Sequence, residues 1–241
     1  MIDLHCHILP GIDDGPETMD EALELARMVV ARGITHSVVT PHIQPGTWDN
    51  DRRIIQKTYE QFREALAQAG IDLKLGMAAE VRVCGEIMPL FMQEQLPFLG
   101  EWEGSRVMLL ELPHGGIPVG TDKLVQWLIQ RDVLPMIAHP ERNKAIMRDL
   151  DKIEPFVDMG CLFQVTAGSL AGQFGGQAQD RAQAIIEEGW ATILASDAHN
   201  RQHRPPNLDE GRAAAVRFLG EEVAQELVYD APLKLVSRVF A

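Results

Sequence analysis

Short apolar runs alternate with helical patterns along this chain, and the alternation restricts the fold more than any other feature. Runs such as 107–112 and 133–138 are mostly apolar, as expected of strands buried on both faces. A glycine separates a helical pattern from the run that follows it at four places, namely Gly33, Gly70, Gly160 and Gly189. Strands that alternate with helices pair in parallel and carry the helices outside the sheet.

The first helix has the clearest boundaries. Apolar residues between positions 19 and 30 recur on one helical face. Thr18 and Glu21 have the spacing of a capping box, in which each side chain accepts a hydrogen bond from the other residue's backbone. Gly33 is placed to end the helix. We therefore predict a helix over about 19–32.

Two α/β architectures fit this pattern. About seven strands are predicted, at 2–8, 34–41, from 71 onward, and at 107–112, 133–138, 161–165 and 191–195. A closed (β/α) barrel and an open doubly wound sheet both satisfy the alternation, but the open sheet normally carries a glycine-rich phosphate loop after its first strand. The loop at 11–15 contains Asp13 and Asp14 instead. No linker interrupts the chain, so we expect a single domain over 1–241.

Charge and hydropathy limit the possible partners. The chain has 22 Lys and Arg against 35 Asp and Glu, a net charge of -13, which disfavours binding to nucleic acid. No apolar run reaches the roughly 20 residues that span a bilayer, and the N-terminus does not resemble a signal peptide. The cysteines, Cys6, Cys84 and Cys161, are far apart, as in proteins of reducing compartments. We expect a soluble cytoplasmic protein without membrane insertion.

Polar side chains follow most of the predicted strands at their carboxyl ends, where parallel barrels build their active sites. His5 and His7 end the first strand and share one side of it, so both can reach one metal ion. The others, in chain order, are His42, Glu80, Glu111, His139, Asp197 and His199.

Each of these residues alone is explained as well by a structural or solvated role. If all of them had only such roles, several polar groups would converge on one rim without partners, and this is costly in free energy. Metal ions would neutralise the carboxylates and use the imidazoles. The pattern therefore predicts a polynuclear metal site.

The residues that carry this pattern resemble those of a known family. The segments are 3–7 (DLHCH), 13–16 (DDGP), 139–142 (HPER), 158–161 (DMGC), 195–200 (ASDAHN) and 204–206 (RPP). The chain resembles the PHP (polymerase and histidinol phosphatase) superfamily of metal-dependent phosphoesterases over essentially its whole length. Within it, the chain is most similar to the capsule-biosynthesis tyrosine phosphatases of the CpsB type. Histidinol phosphatases tend to have histidine where this chain has Asp14 and Glu111, which favours the capsule type.

This resemblance implies a distorted barrel of seven (β/α) units that holds three divalent ions, manganese first and iron or zinc as alternatives. The implied ligands of the first ion are His5, His7, Glu80 and Asp197. Glu80 would bridge to a second ion held also by Glu111 and His139. The third ion would be held by Asp14, His42 and His199.

The expected reaction is hydrolysis of a phosphomonoester by in-line attack of a hydroxide that bridges two metals. Arg142 and Arg204 are the candidates to hold phosphate oxygens, because a guanidinium can donate two parallel hydrogen bonds. His114, in the loop after Glu111, is a further candidate for substrate contact. By resemblance, the substrate is phosphotyrosine in the tail of a bacterial tyrosine kinase that regulates polysaccharide export.

Other functions remain open at this point. The same metals could act on histidinol phosphate or another small phosphate ester, because loops choose the rest of the substrate. An amidohydrolase also begins with His-x-His, although it commonly bridges its metals with a modified lysine and not a glutamate such as Glu80. A non-enzymatic metal-binding protein is the third alternative, which the arginines next to the ligands disfavour.

Overall fold

The computed structural model describes residues 1–240 as alternating strands and helices. The strands are β1 (Ile2–Cys6), β2 (His36–Val39), β3 (His42–Ile43), β4 (Lys74–Met77), β5 (Glu80–Arg82), β6 (Gly100–Trp102), β7 (Ser105–Glu111), β8 (Val133–Ala138), β9 (Leu162–Thr166) and β10 (Ile193–Ala195). The longer helices are α1 (Met19–Ala31), α2 (Arg52–Gln68), α4 (Thr121–Ile129), α8 (Gly176–Glu187) and α9 (Leu208–Leu219). The shorter helices are α3 (Ile87–Met92), α5 (Lys144–Arg148), α6 (Glu154–Asp158), α7 (Ala167–Leu170), α10 (Glu221–Gln225) and α11 (Ala231–Val236).

The parallel strands form two sheets that continue into each other. One sheet has the order β1-β2-β4, and the other has the order β10-β9-β8-β7-β5-β3, with β6 antiparallel to β7. Two residues separate β2 from β3, and two separate β4 from β5, so each pair is one bent strand. At the remaining seam, the Asp197 amide donates to the His5 carbonyl and the His7 amide donates to the Ala198 carbonyl, both at 2.8 Å. These contacts complete a ring of strands, and the predicted distorted (β/α) barrel is confirmed.

The strand predicted at 34–41 is interrupted where it reaches the rim. β2 ends at Val39, and pairing resumes in β3 at His42. Pro41 has no amide hydrogen for a sheet ladder, so the strand cannot pair continuously through this position. The break lets one segment pair with β4 in one sheet and with β5 in the other.

Two apolar clusters separate the inside of the ring from the layer under the helices. The inner cluster takes residues from six strands of the ring, namely Leu4, Val38, Leu109, Met136, Leu162 and Ile193, and from α11. The larger outer cluster lies between the strands and the helices. Since side chains alternate along a strand, the inner cluster shows which residues face the barrel axis.

The ends of α1 agree with the sequence. Thr18 accepts from the Glu21 amide, and the Glu21 side chain accepts from the Thr18 amide, so the predicted capping box is confirmed. No helix within residues 1–240 is long and apolar enough to cross a membrane.

Candidate metal centre

Alternation along the strands aims four of the candidate ligands into the carboxyl end of the ring. Each lies an even number of residues beyond an inner core residue, so it faces the same side. These pairs, core residue first, are Val38 and His42, Ala78 and Glu80, Leu109 and Glu111, and Ile193 and Asp197. The strands that form the core thus also aim the polar groups at one place.

An irregularity in β1 is needed to bring its histidines to the same place. Leu4 belongs to the inner cluster, so plain alternation would turn His5 and His7 outward. The register with β2 shifts between Asp3 and Cys6, and this bulge exchanges the two faces. The prediction that the two histidines share one side is correct, and the bulge decides which side.

The backbone is strained at two candidate ligands, His139 and Asp197. His139 follows β8 with a φ of 32°, and Asp197 follows β10 with a φ of 53°. The left-handed region costs a residue other than glycine about 1–3 kcal/mol, and such strain concentrates at functional sites. At His139 the left-handed conformation changes the direction of the chain directly after Ala138, an inner core residue.

Buried partners orient the imidazoles of His5 and His7. His5 Nδ1 lies 2.7 Å from Gln164 Oε1, and His7 Nδ1 lies 2.7 Å from Asp13 Oδ2. Both rings therefore present Nε2 to the site, and these two atoms are 3.2 Å apart. Outer contacts of this kind fix ring orientation in metal sites. The sequence interpretation assigned no role to Gln164 or Asp13; only the acidity of the 11–15 loop pointed to Asp13.

Glu80 lies at the centre of the cluster and is buried. Its Oε2 is 3.3 Å from the Nε2 atoms of both His5 and His7 and 3.1 Å from His42 Nδ1. Its Oε1 is 2.8 Å from His139 Nε2. One carboxylate thus contacts four imidazoles from three strands, as a ligand between metal ions would.

Asp197 connects the imidazoles to the two candidate arginines. Its Oδ2 accepts from Arg142 and from Arg204, both at 2.6 Å. Its Oδ1 faces His5 Nε2 at 3.3 Å and His7 Nε2 at 3.6 Å. The structure therefore brings both arginines to the cluster, next to each other.

A second group of candidates lies on the solvent side of Glu80. Asp14 Oδ1 is 3.4 Å from His42 Nε2 and 3.1 Å from His199 Nε2. The His199 ring stacks on that of His7 at a centroid distance of 3.9 Å. Asp14 is exposed, so this group is open to the mouth of the barrel.

Glu111 is oriented differently from the grouping that the family resemblance implies. Its Oε1 accepts from Arg82 at 2.6 Å, and its Oε2 is 4.0 Å from His42 Nδ1. Glu111 therefore groups with His42 and Glu80, whereas His139 groups with His5 and Asp197. Arg82, at the end of β5, is a contact that sequence reasoning missed, because its pairing depends on the alignment of β5 with β7.

Neighbouring charges set the protonation of these groups. Burial alone would raise the pKa of Asp197, but Arg204 and Arg142 hold that pKa well below its usual range. Burial lowers the pKa of His5 and of His42, yet Glu80 together with other carboxylates of the cluster raises both to about 9. A cation that binds these nitrogens would displace protons.

The residues present fit divalent metal ions. Five buried polar atoms of the cluster have no hydrogen-bond partner within the described residues: His42 Nδ1, Glu80 Oε2, Glu111 Oε2, Asp197 Oδ1 and His199 Nε2. Buried polar atoms without partners are costly, so several at one place indicate a ligand that satisfies them. Groups of three or four His, Asp and Glu side chains lie close enough to share an ion. Mixed imidazole and carboxylate donors suit manganese, iron or zinc.

We predict that replacing Asp13 with asparagine weakens metal binding by about 10- to 100-fold, the range found for such outer contacts. The amide loses the negative charge that holds the Nδ1–H of His7, so the ring is less firmly oriented. Titration of the variant with Mn²⁺ by calorimetry measures the effect. Asp72→Asn, at an exposed position before the amino end of β4, is the matched control. An affinity within twofold of the unmodified protein would show that Asp13 does not orient His7.

A ring of parallel strands with imidazole and carboxylate groups at its carboxyl end defines the barrel-type metal-dependent hydrolases as the class of protein. The family model for capsular polysaccharide synthesis proteins CpsB/CapC matches residues 1–237. The chain belongs to the CpsB/CapC family, and the expected resemblance is confirmed.

Named relatives cover nearly the same length. The chain is 32% identical over 235 residues to tyrosine-protein phosphatase YwqE of Bacillus subtilis, covering 98% of this chain and 91% of the relative. It is 34% identical over 205 residues to the putative tyrosine-protein phosphatase CapC of Staphylococcus aureus, with coverages of 85% and 79%.

Solved structures show the same fold. A chain from the crystal structures of YwqE from Bacillus subtilis and CpsB from Streptococcus pneumoniae, described as metal-dependent tyrosine phosphatases, superposes with a TM-score of 0.90. It is 32% identical, and the match covers 98% of this chain and 94% of that one. An organophosphorus hydrolase from Deinococcus radiodurans gives a TM-score of 0.55 at 16% identity, with coverages of 100% and 92%, which shows similarity of fold alone.

Proposed function

We propose that this protein is a metal-dependent phosphomonoesterase that hydrolyses phosphotyrosine in proteins. One observation carries the proposal: the Asp197 carboxylate faces two imidazoles through one oxygen and two arginines through the other. Phosphoryl transfer needs cations and guanidinium groups around one phosphorus, and this arrangement holds both kinds of group together. Membership of a family whose named relatives are tyrosine-protein phosphatases supports the choice of substrate.

Three divalent ions are proposed, with manganese as the first choice. His5, His7, Glu80 and Asp197 would hold the first ion, and Glu80, Glu111 and His139 the second. Asp14, His42 and His199 would hold the third. The contacts of Glu80 and of Asp14 support the first and third groups most directly. For the second, Glu111 would use Oε2, which has no hydrogen-bond partner among residues 1–240, while Oε1 keeps its contact with Arg82.

When bound, such ions supply a Lewis acid for the phosphoryl group and lower the pKa of water. The chain's own residues bind and orient the substrate. Arg142 and Arg204 are positioned to donate hydrogen bonds to phosphoryl oxygens, in exchange for their contacts with Asp197. A tyrosyl leaving group has a pKa near 10, so its departure depends less on a general acid than that of an alkyl alcohol.

The proposed partner is the phosphotyrosine-bearing tail of a bacterial tyrosine kinase that acts in capsular polysaccharide synthesis. Membership of the capsular polysaccharide synthesis family supports this partner. A flexible tail would reach the cluster at the open carboxyl end of the barrel. A cytoplasmic location is proposed with it, since Cys6, Cys84 and Cys161 are all unpaired.

The test is phosphate release by the full chain after removal of metal with EDTA. Activity on p-nitrophenyl phosphate and on a phosphotyrosine peptide is expected to disappear and to return with Mn²⁺, while the matched phosphoserine peptide is a poor substrate. Elemental analysis in parallel counts the bound ions. A protein that binds metal yet releases phosphate from neither substrate with Mn²⁺, Fe²⁺ or Zn²⁺ would overturn the proposal.

A further inference from the structure

A cavity next to the two arginines is lined by both charged and apolar side chains. Its volume is about 270 Å³, and its lining residues are His114, Arg142, Met147, Phe174, Ala178 and Arg204. The arginines are the groups already proposed to hold the phosphoryl oxygens. The apolar wall of the cavity consists of the thioether of Met147, the phenyl ring of Phe174 and the methyl group of Ala178.

A smaller cavity of about 120 Å³ lies next to this space. His114 and Arg142 line both cavities, and the smaller one is also lined by Glu111 and His139. The two cavities therefore adjoin at His114 and Arg142, with candidate metal ligands lining the smaller one and the apolar wall lining the larger one. A ligand with a phosphoryl head and a flat apolar body would match this arrangement.

Phe174 supplies the aromatic part of the wall. It lies in the connection between α7 and α8, and it remains 39% exposed, unusually open for a phenyl side chain. The Arg142 guanidinium carbon lies 4.8 Å from its ring centroid. Gly168 permits this position, since a Cβ there would lie only 3.0 Å from a carbon of the Phe174 ring.

The geometry points to Phe174 as a specificity-determining residue that packs against the phenyl ring of the substrate tyrosine. The inference rests on the proposed function and deepens it. A cavity of about 150 Å³ suffices to hold benzene, so 270 Å³ accommodates a phenyl ring with space for the adjoining backbone. Aromatic rings gain from packing against each other beyond the area that they bury. A phosphoserine side chain is too short to cover this wall.

Phe174 could instead act only by holding Arg142 through the contact of ring and guanidinium. That role would weaken the binding of every phosphoryl ligand to the same extent, because the arginine contacts the phosphoryl end that all of them share. A contact with the substrate ring would affect aromatic ligands selectively. Comparison of an aryl and an alkyl ligand with the same head group therefore separates the two roles.

The test compares phenylphosphonate with methylphosphonate by calorimetry on the full chain loaded with Mn²⁺. The unmodified protein is expected to prefer the phenyl compound, and Phe174→Ala to reduce that preference roughly 5- to 10-fold, the equivalent of losing one aromatic pair. Phe174→Tyr keeps a flat ring and is expected to restore the preference. Phe218→Ala is the matched control, since Phe218 is a comparably exposed phenylalanine on α9.

Three results would overturn the role of Phe174: an unchanged preference in Phe174→Ala, an equal loss of affinity for both phosphonates, or no preference in the unmodified protein. Hydrolysis of p-nitrophenyl phosphate by the unmodified protein is measured alongside. If this hydrolysis proceeds but the preference for phenylphosphonate does not depend on Phe174, the proposed phosphatase function stands and only the proposed role of Phe174 is wrong.

Discussion

Replacing Glu80 with glutamine is expected to lower kcat/KM for p-nitrophenyl phosphate by at least about a thousandfold, equivalent to roughly 4 kcal/mol of transition-state stabilisation. The substitution is nearly isosteric and removes one negative charge from the centre of the cluster. Glu80 contacts four imidazoles from three strands, so no other carboxylate of the cluster can take its place. Metal content per chain is expected to fall together with activity.

The variant is expected to remain folded in the absence of metal. Glu80 is a main reason why the pKa values of His5 and His42 are raised to about 9, and without its charge these imidazoles can lose their protons. The variant cluster then lacks the carboxylate charge of residue 80 and up to two imidazolium charges. Since charges of both signs are lost together, no buried charge is left unpaired. Thermal unfolding followed by circular dichroism checks this point.

Glu86→Gln is the matched control, because Glu86 follows the same strand and is exposed. It is expected to keep the metal content and activity of the unmodified protein. If Glu80→Gln retained more than a tenth of the activity and its full complement of metal, Glu80 would not be a metal ligand.

Replacing Arg142 with alanine is expected to lower kcat/KM by about 100- to 1000-fold, as for the loss of one donor to a developing oxyanion. Arg204 still donates to Asp197 at 2.6 Å, so that carboxylate keeps a charged partner and the fold is retained. Arg142→Lys keeps the charge but not the planar pair of donors, and a loss of roughly tenfold is expected. Steady-state kinetics on p-nitrophenyl phosphate measures both.

Arg201→Ala serves as the control for Arg142. Arg201 lies in the loop of Arg204, but it pairs at 2.7 Å with Glu24, and both side chains are about half exposed. Its removal is expected to leave kcat/KM within twofold. A loss of less than threefold in Arg142→Ala, at unchanged metal content, would show that Arg142 does not bind the phosphoryl group.

The fold followed from patterns that are local in the sequence. The run at 133–138 coincides with β8, and the capping box at Thr18 and Glu21 forms as predicted. Each depends on neighbouring residues, because periodicity and capping act within a few positions of the chain. The break at Pro41 was not predicted, since it depends on which strand each half of the segment pairs with.

The candidate site, like the fold, could be predicted from the sequence only in part. Polar residues that end buried strands can be recognised from sequence, and the structure brings all nine candidate ligands and both arginines to one end of the ring. The roles of Gln164, Asp13 and Arg82 could not be predicted, because each pairs with a residue from a different strand end or loop. Assignment of individual ligands to individual ions remains a prediction, as does a single domain over 1–241.

The sequence alone therefore specified the alternation of strands and helices and the chemistry at the strand ends. It did not specify which side of each strand those residues face. Strict alternation would have turned His5 and His7 away from the barrel axis. It would also have turned His139 away from the axis, because its neighbour Ala138 faces the axis. A bulge in β1 and a left-handed residue after β8 correct both, and they persist because the closed ring holds them. Such local irregularities are stable only when surrounding tertiary contacts offset their cost, which no local pattern of residues encodes.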